Sequence, residues 1–278
     1  MNIVEKTALK HPDAGFVIGV ALSAAEIIEK IYAGSFATEY KAGEEPVTIA
    51  DRLADRHIVD SLHARFPHDR ILSEEHGLYV PDSCNNRVWF IDPIDGTREF
   101  IRHTGEFAIQ IGLAVAGRLQ LGLVYQPVGK NLYVAAAGEG CWWHAPGRAW
   151  ERLHVSKAAI DLRLAVSRSH PCPIGSRVHS LLGGASHFSC GGVGLKLMAM
   201  ARGFADYYIN SSNQTKAWDI AAPEILFVEA GGRVSDLRGQ PFGYDPTDFR
   251  HRHGLLGACD ESLQQKVIAQ VKNLKFQG

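Results

Sequence analysis

The stretch Trp89-Phe90-Ile91-Asp92-Pro93-Ile94-Asp95-Gly96-Thr97-Arg98-Glu99-Phe100 is where this chain passes from building a fold to presenting chemistry. Val88 to Ile91 is apolar, aromatic and β-branched, the composition of a buried strand. It runs into two carboxylates, Asp92 and Asp95. Pro93 has no N–H and a fixed φ, so the chain is expected to leave the ladder there. Gly96 permits a tight turn directly after Asp95. The result is two anionic side chains and the Ile94 carbonyl facing one point at a strand end, with the Thr97 hydroxyl beside them. Hard oxygen donors of this kind suit Mg2+ far better than a soft metal. Asp-Pro and Asp-Gly are also ordinary turn pairs, so these residues alone leave a plain turn as an equal alternative. Acidic residues recur at predicted element ends, in Ile71-Leu72-Ser73-Glu74-Glu75 and in Ala217-Trp218-Asp219-Ile220-Ala221-Ala222, and favour the metal reading.

Composition narrows the function classes. A chain of 278 residues with 46% hydrophobic and 21% charged residues is that of an ordinary soluble globular protein, long enough for two modest domains. A net charge of −1 gives no electrostatic basis for binding a nucleic-acid polymer or a membrane surface, so any phosphate must be held locally. Met1 to Lys6 lacks the apolar core of a signal peptide, and no apolar run approaches the roughly 20 residues that span a bilayer. The cysteines, at 84, 141, 172, 190 and 259, are odd in number and scattered. Neither a zinc site nor a disulfide framework follows, and reduced thiols in a cytoplasm are the simplest account.

The spacing predicts a helix over Asp13–Ala33, ended by Gly34-Ser35, then a polar loop over Thr38–Glu45. Thr48 is a cap for a second helix through Phe66, with Asp51 in its first turn and Leu53, Ile58, Val59 and Leu62 on its buried face. Ile71–Ser73 reads as a strand and His76–Arg87 as a loop. Phe107–Val115 and Leu119–Tyr125 form a hairpin about Ala116-Gly117-Arg118, and Leu132–Ala136 and Gly138–Trp143 extend it into an antiparallel meander. The Pro-, Gly- and charge-rich segment His144–Arg152 marks a boundary between an N-terminal α+β lobe, 1–145, and a C-terminal lobe, 146–278. In the second half, strands and helices alternate as in a layered α/β unit, with helices over 175–182, 194–202, 219–230 and 261–274.

Asp92-Pro93-Ile94-Asp95-Gly96-Thr97 resembles the first signature of the inositol monophosphatase family of Mg2+-dependent, lithium-sensitive phosphatases, and Trp218-Asp219-Ile220-Ala221-Ala222 resembles its second. The resemblance runs from Thr48-Ile49-Ala50-Asp51 to Gly231-Gly232, nearly the whole chain. Arg98-Glu99-Phe100 followed by Gly105-Glu106-Phe107 is most similar to the branch that hydrolyses 3'(2'),5'-bisphosphate nucleotides, with Gly194-Leu195-Lys196 and Thr215–Asp219 pointing the same way. The resemblance implies a fructose-bisphosphatase-like αβαβα sandwich with its site between the lobes, and a homodimer is compatible with it. It also implies that Glu74, Asp92 and the Ile94 carbonyl hold one Mg2+, that Asp92, Asp95 and Asp219 hold a second, and that a third, weaker ion recruits Glu74 through water. Asp51 and Thr97 would together orient and deprotonate the attacking water. The bland alternative for Asp51 is a charge favoured at a helix start.

Gly96 and Thr97 could offer N–H groups to phosphate oxygens, Asp219 would meet substrate as well as metal, and Gly194 and Lys196 enter a helix in a position suited to gripping a phosphate. A surface lysine is the equal alternative for Lys196. Asp82, Asp206 and Asp236 read as loop or edge charges, the histidines lack ligand spacing, and Trp142-Trp143 reads as core. Two departures bear on substrate. Serines that bacterial-type bisphosphate nucleotidases carry before the Leu-Lys pair are absent from Gly191-Gly192-Val193-Gly194. Ser212 stands where inositol-specific members place a glutamate. The expected reaction is hydrolysis of adenosine 3',5'-bisphosphate to AMP and phosphate. The rivals are a phosphatase of inositol or another small polyol phosphate, and a non-catalytic binder of phosphorylated ligands, which a full set of carboxylates disfavours.

Overall fold

Residues 9–40 and 46–275 are described by the structure, a computed structural model. Its first elements are α1 (Ala14–Tyr32), β1 (Thr38–Tyr40), β2 (Pro46–Thr48), α2 (Ile49–Arg65), β3 (Arg70–Ser73), β4 (Gly77–Tyr79), β5 (Arg87–Asp95) and α3 (Thr97–Ile101). A meander follows: β6 (Ala108–Val115), β7 (Arg118–Gln126), β8 (Asn131–Ala136), β9 (Gly140–His144) and β10 (Glu151–Leu153). The second half comprises β11 (Arg163–Ser167), α4 (Pro173–Leu181), β12 (Ser186–Cys190), α5 (Val193–Ala201), β13 (Tyr207–Asn210), β14 (Thr215–Lys216), α6 (Ala217–Glu229), β15 (Arg233–Ser235), β16 (Arg250–His251), β17 (Leu255–Ala258) and α7 (Glu261–Lys275). The remainder of the polar loop expected over Thr38–Glu45, residues 41–45, lies outside the described residues.

An eight-stranded sheet, β10-β9-β8-β7-β6-β5-β3-β4, and a five-stranded sheet, β12-β11-β13-β17-β15, stack between three helical layers. Strand alternation builds the stack. Trp89, Ile91, Ile109, Ile111, Leu121 and Leu123 face α1 and α2 in one core, while Val88 and Phe90 on the same strand face Trp218 and Tyr244 on the other side. Helices α5 and α6 fill the middle layer, and α4 and α7 cover the outer face of the second sheet through Val178, Leu263, Val267 and Val271. This is the αβαβα sandwich. Helix α6 can lie flush on the first sheet because two facing strand residues are glycines. A Cβ on Gly112 would come within 2.9 Å of Ala221 Cβ, and one on Gly122 within 2.7 Å of the Ala222 carbonyl. The hairpin about Ala116-Gly117 forms as expected, both residues having positive φ (50° and 75°), the torsions that match strand twist in a two-residue turn.

Four local readings need correction. The chain does not leave the sheet at Pro93: β5 continues to Asp95, which pairs with Ala108 after a register shift between Asp92 and Asp95. A bulge tolerates a proline that an unbroken ladder would not. The segment after His76 is not all loop, since β4 pairs with β3. The buried face of α2 is also rotated from the expected one. Leu53 is 42% exposed, and Asp51 and Asp55 are buried with Ala50, Ala54, Ile58 and Leu62. At the expected lobe boundary, β10 pairs with β9 beyond residue 145. Asp206 is not an edge charge but a buried one. It pairs with Arg163 and accepts the Arg163 backbone N–H at 2.8 Å.

Candidate active site

Each side chain of the site is delivered by an element end. Thr48 caps α2, and the cap fixes Asp51: its Oδ2 accepts the Thr48 N–H at 2.8 Å and the Thr48 hydroxyl at 2.6 Å. Its other oxygen, Oδ1, lies 3.2 Å from the Thr97 hydroxyl, which is also 3.3 Å from the Ile94 carbonyl. The bulge in β5 turns Asp92 so that its Oδ1 accepts the Ile94 N–H at 3.0 Å. Gly96, with φ of 103°, then reverses the chain into the short helix α3, whose first residue is Thr97. Glu74 follows β3, and its N–H donates to the Ile91 carbonyl at 3.1 Å, which sets it beside the residue preceding Asp92. Asp219 lies in the first turn of α6, its Oδ2 accepting the Lys216 N–H at 2.7 Å.

Glu74, Asp92, Ile94, Asp95, Thr97 and Asp219 line one cavity of about 680 Å3, and Asp51 lies behind its wall, reached through Thr97. Gly96 and Lys196 also line it. Electrostatically the cavity is unbalanced. Burial first, then Glu74, Asp95, Asp219 and Asp51, push the Asp92 carboxyl well above the usual carboxylate range. Burial and Glu74 do the same to Asp219. Asp51 is raised to about 6 by burial, against the hydrogen bonds from Thr48. Acidic side chains that repel one another, buried at Asp92 and Asp95 and half-buried at Glu74 and Asp219, fit a small divalent cation with oxygen preference. Among the described residues no three acidic, histidine or cysteine side chains are gathered tightly enough to grip an ion as they stand. The fit therefore lies in donor chemistry and shared lining.

The two residues expected to grip phosphate have other partners. The Gly194 N–H donates to Asp95 Oδ2 at 2.7 Å and the Val193 N–H to Oδ1 at 3.0 Å. Lys196 is not a surface lysine: it is 2% exposed, donates to the Gly192 carbonyl, and sits 5.1 Å from the centroid of the Tyr208 ring. Asp95, raised by burial, is drawn back to about 6 by Lys196 and these N–H groups. The serine-free stretch has a steric reason. A Cβ on Gly191 would meet Glu99 Cγ at 2.5 Å, and one on Gly192 would meet Asp95 Oδ2 at 2.7 Å. Glu106, quoted above only for resemblance, clamps this turn by accepting the Gly191 N–H at 2.9 Å and a forked pair from Arg168, both at 2.6 Å. Sequence reasoning also missed Asp55, Ser73 and His76, whose side chains meet beneath Glu74. The helical spacing of Asp51 and Asp55 was the available signal.

A layered sandwich with buried carboxylates converging at strand and helix ends is the architecture of a metal-dependent phosphomonoesterase. The chain belongs to the inositol monophosphatase family, whose model matches residues 10–275 and whose members are generally Mg2+-dependent. It is 34% identical over 260 residues to a 3'(2'),5'-bisphosphate nucleotidase of Aggregatibacter actinomycetemcomitans, covering 91% of this chain and 95% of that protein. It is 28% identical to the Nus factor SuhB of Pasteurella multocida, covering 82% of this chain and 86% of that one. Among solved structures, the SuhB protein of Bartonella henselae superposes with a TM-score of 0.76 at 25% identity, covering 92% of this chain and 96% of that one.

Proposed function

We propose that the chain hydrolyses the 3'(2')-phosphate of 3'(2'),5'-bisphosphate nucleotides such as adenosine 3',5'-bisphosphate, releasing AMP and phosphate. The observation that carries the reading is the Asp51–Thr97–Ile94 arrangement, a hydroxyl with a buried carboxylate at 3.2 Å and a carbonyl at 3.3 Å, with Thr97 and Ile94 lining an acidic cavity. The nucleotidase relative gives the substrate class. Mg2+ would be held by Glu74, Asp92, the Ile94 carbonyl, Asp95 and Asp219, and would supply Lewis acidity and a more acidic water.

The chain's own residues do the rest. Thr97 Oγ1 accepts from the attacking water and passes its own proton to Asp51, whose carboxyl, at about 6, is suited to receive it near neutral pH. The Thr48 cap keeps Asp51 from turning away. The backbone of Gly96 and Thr97 holds the phosphoryl oxygens, and Asp219 meets the substrate from the opposite lobe. Gly194 and Lys196 act in this reading by fixing Asp95. The five cysteines, all free, agree with a cytoplasmic location, and a homodimer is the assembly to look for by light scattering.

The test is phosphate release from adenosine 3',5'-bisphosphate, inositol monophosphate and fructose bisphosphate at equal Mg2+. Preference for the nucleotide is expected. Preference for inositol monophosphate would transfer the same machinery to a polyol phosphate, and no release from any of them would remove the enzymatic reading.

A further inference from the structure

Asp55 is wholly buried on α2, one helical turn after Asp51, and takes no part in the reaction proposed above. A carboxylate is costly to bury unless its oxygens are fully used. Here both are used, and both by the chain that flanks Glu74. Ser73 Oγ donates to Oδ1, and Oδ2 is paired with His76 Nδ1. The Ser73 oxygen in turn accepts the Glu75 N–H at 3.3 Å, so a small ring closes around Glu74. On the other side, Ser73 is paired with Ile91 in the parallel β3–β5 ladder, and the Glu74 N–H reaches the Ile91 carbonyl. The Glu74 backbone is thus held from the strand side by β5 and from the helix side by Asp55.

We propose that Asp55 is a positioning residue that sets divalent-cation affinity by clamping the Ser73–His76 turn, and with it Glu74, to helix α2. The inference rests on the carboxylate cation site of the preceding subsection. Positions i and i+4 of a helix share a face, so one turn of α2 fixes both the Asp51–Thr97 pair and the height of Glu74. Such supporting contacts limit how far a ligand wanders, and their loss weakens metal binding by about 10- to 100-fold.

The experiment is calorimetric titration of Mn2+ into the metal-free full-length protein, with the melting curve of each variant as a check on folding. Asp92→Asn tests the site itself and should abolish binding. Asp55→Asn and Ser73→Ala should each weaken binding by about 10- to 100-fold while remaining folded. Ser73→Ala matters because it leaves the Asp55 charge in place. A purely electrostatic role for Asp55 would leave Ser73→Ala with wild-type affinity, and that result overturns the clamp. If Asp55→Asn fails to fold, Ser73→Ala alone decides. Wild-type affinity in both variants alongside loss in Asp92→Asn would reduce Asp55 to a stability role. Wild-type affinity in Asp92→Asn, or no binding by the wild type, would remove the cation site and the proposal with it.

Discussion

Lys196→Met removes a buried positive charge while nearly preserving the volume of its stem. Lys196 has almost no contact with solvent, and burial lowers the pKa of its own ammonium. Asp95 faces it and favours the charged form, and the Gly192 carbonyl accepts from Nζ. Replacing a buried ion pair by two apolar groups can be neutral, but removing one partner leaves the other uncompensated. Here the carboxylate is the one left. A hydrogen bond to a charged group contributes about 1.5–3 kcal/mol. For a chain of this length that is a fall in melting temperature of about 2 °C per kcal/mol. The same energy spent on misplacing Asp95 corresponds to roughly 10- to 150-fold in turnover.

The assay pairs melting of the metal-free protein with phosphate release from adenosine 3',5'-bisphosphate and from adenosine 2'-monophosphate. Both substrates should lose activity by similar factors, because the ammonium acts on Asp95 and not on the second phosphate. A loss confined to the bisphosphate, with unchanged melting, would refute the reasoning and make Lys196 a direct substrate contact.

Three further outcomes follow from the same geometry. Thr97→Val and Asp51→Asn should each reduce turnover by about 10²- to 10⁴-fold, and the double variant should be little worse than either; additive losses in kcat would mean that the two do not share a step. Glu224, hydrogen-bonded by the Tyr244 hydroxyl, has its carboxyl raised from 4.5 to about 7 by burial, so the folded state binds this proton more tightly than the unfolded state and stability falls as pH rises across that window. Glu224→Gln should therefore melt higher than wild type above pH ~7, by at most about 3 kcal/mol, with the advantage shrinking toward pH ~5; a pH-independent difference would reject the linkage. Gly122→Ala should cost about 1–3 kcal/mol by overpacking and weaken divalent-cation binding, since lifting α6 off the sheet withdraws Asp219; an unchanged melting curve would show that the approach of α6 is not limiting.

The fold was legible wherever apolar periodicity was uninterrupted. The β6–β9 meander, α1, and the alternation of β11 through α7 follow from hydrophobic spacing and turn chemistry, and the ends of α2 follow from the Thr48 cap and the break at Phe66. The candidate metal ligands were named for a different reason: all but Glu74 lie in two short signatures at element ends, where resemblance carries what periodicity cannot. The failures came at charged residues. Asp206 was assigned to an edge and Lys196 left open to the surface because an isolated charge in a sequence is normally solvated. Their partners, Arg163 and Asp95, lie far away in the chain and become neighbours only in the fold.

Helix α2 shows why such errors gather at the site. A hydrophobic stripe drawn through Leu53, Ile58, Val59 and Leu62 is the choice that buries most apolar surface, yet Leu53 is left in solvent and the helix is turned to bury Asp51 and Asp55. Burial of two carboxylates on one helix face opposes stability unless each is satisfied. Each is, Asp51 by its own N-cap and Thr97, and Asp55 by Ser73 and His76. A local rule is thus broken at the place where the chemistry needs the oxygens and kept elsewhere along the helix. The same logic applies to α6, whose first turn sets a half-buried Asp219 in the lining of the acidic cavity while the helix packs Ile220, Leu226 and Phe227 into an ordinary core. Two helices from opposite halves of the chain each spend their N-terminal turn on the site and the rest of their length on packing. The site's rigidity therefore comes from the two cores, which hold a handful of acidic side chains together against their own repulsion.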